Sequence, residues 1–322
     1  MLTIVRLIAA IAALTIAGPS FAQMAPKYPT KSVRVIVPYP PGGPTDVIGR
    51  LVAQQLTTQL GQSFYVENVS GASGVIGTVA AAKAAPDGST ILFTTNDFGV
   101  YPATTKDLAY DPVKSFVPVT VVATTPQIVV VHPSIPAKNL KELQALFKSN
   151  PEKYNYAAMG LGFGQLTGVR LFQIAFGLNA IRVPFSGAAP MMNSTIAGHT
   201  PIAMIGMPPA APLVKDGRLR AIAVTRRSPV LPDVPSFAEQ GFPNQDADLI
   251  IGMVVPAGTP RPTVDILRNS TAKALAQPEV KSRLDALGFT AVVNTPEEYG
   301  AQIKKDTEIW PKIAHEAGLD PQ

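Results

Sequence analysis

Short β-branched runs that break into a proline–glycine loop and resume as a helical pattern recur along this chain, and that grammar confines it to α/β architecture. The clearest case begins with Val33-Arg34-Val35-Ile36-Val37 and the loop Pro38-Tyr39-Pro40-Pro41-Gly42-Gly43-Pro44. Val47, Ile48, Leu51, Val52 and Leu56 then recur at helical spacing until Gly61. Phe64 to Val66 reads as a second strand, and Ser70-Gly71-Ala72-Ser73-Gly74 leads to an alanine-rich helix over Thr78 to Ala85. Pro86-Asp87-Gly88 turns the chain into a strand over Thr90 to Thr94.

The same order continues further on. Gln127 to Val131 predicts a strand and Leu140 to Phe147 an amphipathic helix. Tyr154 to Ala158 opens into Gly160-Leu161-Gly162-Phe163-Gly164 and a helix over Gln165 to Phe176. Ile181 to Val183 passes through Pro184-Phe185-Ser186-Gly187 to a helix over Met191 to Ala197, and Leu219 to Val224 is another strand. Thr263 to Ala276 and Pro278 to Leu287 are helical, Ala291 to Val293 a strand, and Pro296 to Ala317 the last helix. This alternation predicts largely parallel sheets, with ligands beyond the carboxyl ends of strands where loops enter helices.

The 322 residues are enough for two domains, each with its own core. Charged residues are only 15%, which fits a globular chain and not a disordered one. In residues 1–22 Arg6 is the sole charged side chain, and Leu7 to Ala17 is too short an apolar run to span a bilayer with margin. Gly18-Pro19 breaks that run, and Ser20-Phe21-Ala22 supplies small residues where a signal peptidase reads. A secretory signal over residues 1–22, cut before Gln23, is therefore expected.

The sequence has no cysteine, which removes disulfides, thiolate catalysis and cysteine metal sites. Net charge is +5, but Arg226-Arg227 and Lys304-Lys305 are the only basic pairs and neither lies among aromatics. Nucleic acid is a poor partner for so dispersed a set of cations. His132, His199 and His315 form neither HxxxH nor HExxH, so no metal and no cofactor are expected. Gly71-Ala72-Ser73-Gly74-Val75 fails the G-x-S-x-G nucleophile pattern. Asp46, Asp97 and Asp111 could act as acids or bases, but nothing in the sequence places two of them together. Trp310, with Ile309 and Ile313 beside it, reads as packing of the last helix.

Three loops carry the binding potential. In the first, Gly42 and Gly43 permit close backbone approach, and Pro44 and Thr45 open a helix whose free amides attract an anion. A tight turn with no ligand accounts for it equally well. The second, Gly160 to Gln165, repeats the design, and Phe163 within it needs something to pack on. The third offers the Ser186 hydroxyl with Gly187 and Ala188 at another helix start, where simple N-capping by Ser186 is the commoner role.

Taken in order, these residues resemble the Bug family, the extracytoplasmic solute receptors of tripartite tricarboxylate transporters. The resemblance runs through Tyr28-Pro29-Thr30-Lys31, Val37 to Arg50 with its Asp46 and Arg50, Asn68 to Gly77, and Ala84-Ala85-Pro86-Asp87-Gly88. It continues through Tyr110 to Pro118, Val183 to Pro190, Gly217 to Thr225, Pro232 to Phe237 and Pro256 to Pro260. Thr295-Pro296-Glu297-Glu298, Trp310 and Ala317-Gly318 close it. Each block alone is weak, and the joint order is specific.

The resemblance implies a two-domain type II periplasmic-binding-protein clamshell, α/β in class, with a ligand cleft between the domains. Residues 24–123 with 247–322 would form domain 1 and residues 124–246 domain 2, with crossovers near Ala123 and Ala247. It implies capture of a small organic acid in the periplasm, with no chemistry, for delivery to the membrane permease subunits. A monomer is expected. The ligand's proximal carboxylate would meet Tyr39, Pro41, Gly42, Gly43, Thr45 and Asp46, then Gly162, Phe163, Gly164 and Gln165, partly through ordered waters. Ser186, Gly187 and Ala188 would complete the site.

The second loop departs from the family pattern Gly-x-Gly-Thr-x-x-His. Phe163 stands at the Thr, Leu166 at the His, Arg170 at a usual Glu, and Pro201 where an Asp is common. These losses of polarity point to an apolar or aromatic carboxylate, with Phe163 against its body. Two other readings stay open from the sequence: an exported hydrolase with a dispersed triad, and a solute sensor for a membrane signalling partner.

Overall fold

The computed structural model describes residues 28–160, 163–178, 180–243, 248–316 and 321. The signal expected over residues 1–22, Gly162 and Ala247 lie outside the described residues. The chain opens with β1 (Val33–Val37), α1 (Pro44–Leu60), β2 (Phe64–Asn68), α2 (Val75–Ala82), β3 (Thr90–Thr95), a short α3 (Asp97–Val100) and β4 (Phe116–Thr125). It continues with β5 (Gln127–Val131), α4 (Leu140–Ser149), β6 (Asn155–Met159) and α5 (Phe163–Val169), which runs on as a π-helical segment, Arg170–Ala175. Next come β7 (Ile181–Phe185), α6 (Ala188–Ile196), β8 (Ile202–Gly206), α7 (Met207–Lys215) and β9 (Arg220–Val224). The last elements are β10 (Leu249–Pro256), α8 (Arg261–Leu275), α9 (Pro278–Ala286), β11 (Thr290–Ala291) and α10 (Pro296–Glu316).

These strands make two sheets, ordered β11-β4-β10-β3-β1-β2 and β7-β6-β8-β5-β9. Pro126 alone separates β4 of the first sheet from β5 of the second, and the chain returns between β9 and β10. The sheets are mixed and not largely parallel as the alternation predicts. β1 runs parallel to β2 and β3, and β6 parallel to β7 and β8. β10 is antiparallel to β3 and β4, and β5 antiparallel to β8 and β9. The reason is topological. A strand leaving a sheet and the strand returning to it lie side by side, so they must run in opposite directions.

Strand alternation feeds both faces of each sheet. Val33, Val35 and Val37 of β1 pack with Ile48, Leu51, Val52 and Leu56 of α1, whereas Ile36 turns to Leu92, Phe98 and Tyr101 on the other face. In the second sheet Val129 and Val131 join Tyr156 and Phe172, while Ile128 and Val130 join Met191 and Ile205. Each fully buried side chain of this size contributes about 1.5–3 kcal/mol. These cores hold a chain that has no cysteine to staple it.

Two features tie the sheets together. Thr225 Oγ1 accepts from Gln127 N (3.0 Å) and donates to Asp248 Oδ1 (2.6 Å). Asn96 Nδ2 donates to Asp248 O (3.3 Å), and Ile250 N donates to Asn96 Oδ1 (2.7 Å). Away from these crossings, Leu166 of α5 is fully buried against Val100, Ala103, Trp310 and Ala314 from the first-sheet side. The position at which the family pattern has His therefore serves here as an apolar contact between the two halves.

Candidate functional site

A cavity of about 150 Å³ opens where loops from both sheets meet. One water needs only about 10–15 Å³ on this measure, so a small organic molecule fits. Tyr39 to Thr45 form one wall, with Thr95 from the end of β3 and Asp97 from the start of α3. Ser186 to Pro190 form the facing wall, with Met159 from the end of β6 and Leu249 from the start of β10. Among the described residues, no Lys, Arg or His lines the cavity.

The first wall is braced by side chains. Gly42 adopts φ +81°, a left-handed conformation that favours glycine, and this aims its N–H at Asp46 Oδ2 (2.9 Å). Arg50 Nε donates to both Asp46 oxygens at 3.0 Å, and Asn68 Nδ2 donates to Asp46 Oδ1 (2.9 Å) and Tyr39 O (3.0 Å). Arg50 also donates to Asn68 Oδ1 (2.8 Å). Burial alone would raise the Asp46 pKa, but the bonds from Arg50, Gly42 and Asn68 outweigh it and hold the carboxyl below its ordinary value. The carboxylate also sits in the first turn of α1, where the helix dipole favours negative charge.

Among the described residues, backbone and one arginine support the facing wall. Gly187 occupies the N-cap position of α6 with φ −178°, and no side chain caps the helix. The capping role weighed for Ser186 is therefore not made, and its residue lines the cavity instead. Gly160 N donates to Phe185 O (2.9 Å), and Arg182 donates to Gly160 O (2.8 Å). A Cβ built on Gly187 would meet only Pro40 Cγ at 3.5 Å, and one on Gly43 only Pro40 O at 3.6 Å. The fold tolerates a side chain at both places, so their smallness keeps the cavity open.

Of the residues expected at the site, Tyr39, Pro41, Gly42, Gly43, Thr45, Ser186, Gly187 and Ala188 line this cavity together. Asp46 lies behind the wall as its brace. Gly164 is a packing glycine, since a Cβ there would come 2.8 Å from Met159 O. Phe163 and Gln165 are in α5, but their side chains lie outside the described ones. Sequence reasoning missed Thr95, Met159 and Leu249, and it weighed Asp97 only as an acid or base. Thr95 and Met159 stand at the carboxyl ends of β3 and β6, which is the signal that could have found them, whereas Leu249 at the start of β10 carries no such signal.

Among the described residues, no group of three His, Cys, Asp or Glu could hold a metal. None of their helices is long and apolar enough to cross a membrane. His132 pairs with Ser134 Oγ at 2.7 Å, outside the cavity lining.

Comparison with known proteins gives this cavity a context. The profile of the tripartite tricarboxylate transporter family receptor, TctC, matches residues 48–319. BugT of Bordetella pertussis is 32% identical over 306 residues, which cover 94% of each chain. The solved structure of periplasmic binding protein BugD superposes with TM-score 0.86 at 34% identity, covering 92% of this chain and 100% of that one. An R. palustris protein in complex with adipate superposes with TM-score 0.86 at 30% identity, covering 92% and 100%. The two-sheet α/β architecture is thus the two-domain clamshell of periplasmic binding proteins. The chain belongs to the TctC/Bug family of solute-binding receptors, which are not enzymes.

Proposed function

We propose that this receptor captures a small organic carboxylate with an apolar or aromatic body in the periplasm and hands it to the permease of a tripartite tricarboxylate-type transporter. The observation that carries the reading is the cavity itself. Two helix starts, of α1 and α6, bring free backbone amides and glycines to one space whose walls are Pro40, Pro41, Met159, Pro190 and Leu249. Amides would hold the anionic end and the apolar walls the body. The adipate complex of the R. palustris relative supports the carboxylate. Thr45 and Ser186 add hydroxyls at the two helix starts.

In this reading residues 24–123 with 247–322 form one lobe and residues 124–246 the other, and closure about the two crossings excludes water from the ligand. The protein works as a monomer, exported by a signal over residues 1–22 that is removed. A thermal-shift screen of residues 23–322 against aliphatic, hydroxy, amino and aromatic carboxylates tests the reading. A ligand that binds only the native state raises Tm with concentration, and it is recovered unchanged. No shift with any carboxylate sinks the proposal. Loss of uptake on deleting the gene would support transport over sensing. If Phe163→Thr binds every apolar carboxylate as well as wild type, the preference for an apolar body is wrong.

A further inference from the structure

Leu166 reaches from α5, in the half that carries the second sheet, into the other half of the molecule. Its side chain is fully buried, and the other buried members of its cluster, Val100, Ala103, Trp310 and Ala314, all come from the first-sheet side. Trp310 is fixed there by its own half. Its indole donates to Asp306, one turn earlier on α10, and Asp306 lies against Gly99 of α3. Leu166 thus fills a socket that its own half does not supply.

A second contact joins the halves at Ser73 and Gly160. The Ser73 side chain sits so close to Gly160 that a Cβ there would run into it, and Tyr101 donates to Ser73 O. Neither Leu166 nor any of the four residues around it lines the cavity, so the protein makes this apolar contact by itself. Leu249 connects the two places, because it packs on the cluster and also lines the cavity. Swinging the halves apart would return Leu166 and a face of the Trp310 ring to water. Burial of a leucine favours the buried form roughly tenfold or more. We propose that Leu166 is a latch: seated against Trp310 and Val100, it keeps the closed form predominant in the empty receptor, and ligand enters through a less populated opening. This rests on the two-lobe closure described above. Leu166 is a positioning residue, acting on binding through the lobe arrangement.

Trp310 is the sole tryptophan of the chain, so its fluorescence reports this contact alone. The exported protein, residues 23–322, is studied without ligand by small-angle scattering and by acrylamide quenching of Trp310. Wild type should scatter as the structure predicts and shield its indole. Leu166→Asp should lower the closed-to-open ratio roughly tenfold or more, with a larger radius of gyration, an accessible indole and unchanged helix content by circular dichroism. Leu166→Met keeps the apolar contact and should match wild type.

An empty wild type whose lobes already stand apart overturns the latch, and so does a folded Leu166→Asp protein that stays compact. Quenching of Trp310 at an unchanged radius overturns it too, because α5 then loosens within its own lobe. Adding Gly160→Asn separates the latch from the closure reading, since asparagine accepts the left-handed backbone there (φ +45°) and wedges against Ser73. If the double variant opens and Leu166→Asp alone does not, closure stands and the latch falls; if neither opens, both fall. If Leu166→Asp does not fold, Leu166→Ala and the wild-type scattering decide.

Discussion

The two walls of the cavity solve the same problem in different ways. The wall from Tyr39 to Thr45 is tied down by a buried carboxylate that serves Gly42, Arg50 and Asn68 at once. The wall from Ser186 to Pro190 has no side-chain cap on its helix, and its neighbour Gly160 is held by one backbone bond and Arg182. The first is therefore preformed with or without ligand, and the second is the side on which small changes alter the space. Preorganisation of one wall lowers the ordering cost of binding, while the plainer wall sets the fit.

The sharpest way to break this contrast is Asp46→Ala. It strands the Gly42 N–H and the Asn68 amide, and should lower stability by about 2–3 kcal/mol and abolish ligand-induced stabilisation, read by denaturant melts with and without ligand. Asp306→Asn should act in the opposite direction. Asp306 faces Gly99 behind the floor of the first wall, and burial raises its pKa to about 6. Its folded form keeps a proton that the unfolded chain has lost, so stability falls as pH rises from about 4 to about 6. The substitution should therefore add about 1–3 kcal/mol at pH 7.5 and nothing near pH 3.5, as chemical melts at the two pH values would report.

Smaller effects on stability test the other half of the contrast. Gly187→Ala and Gly43→Ala should leave Tm nearly unchanged, because no protein atom crowds the new methyl, yet weaken ligand binding about tenfold. A drop in Tm as large as that of Asp46→Ala would show that these glycines serve the backbone and not the space. Ser186→Ala should have the least effect, about threefold on affinity and none on stability, since its hydroxyl caps no helix.

Much of the molecule was legible in the sequence for a physical reason. The first and third loops are contiguous, and glycine, proline and a following helical pattern mark them locally. What stayed hidden depends on neighbours in space. β4 and β10 were not recognised, although they pass the chain between the sheets. Pro118 interrupts the β4 run, yet it pairs with Val254 beside a register shift, where a missing N–H is tolerated. β10 is nearly uniform in its apolar residues because both of its faces are covered, so it lacks the period-two signature. Thr95 and Leu249 meet the loops only because β3 and β10 are adjacent. The polar stretch Thr94 to Asp97 reads locally as a turn. Against the family pattern Leu166 reads as a lost ligand contact, and its packing in one cluster with Trp310 gives it a purpose.

The single residue between β4 and β5 has a kinematic consequence. Pro126 has its φ set by its ring, so few torsions are left to turn on one side of the crossing. On the other side Asp248 is pinned to Thr225 and Asn96. In the proposed closure, relative movement would thereby be channelled into one swing instead of a general twist. Under that proposal, a receptor with one degree of freedom would present two outlines, open and closed, and little in between.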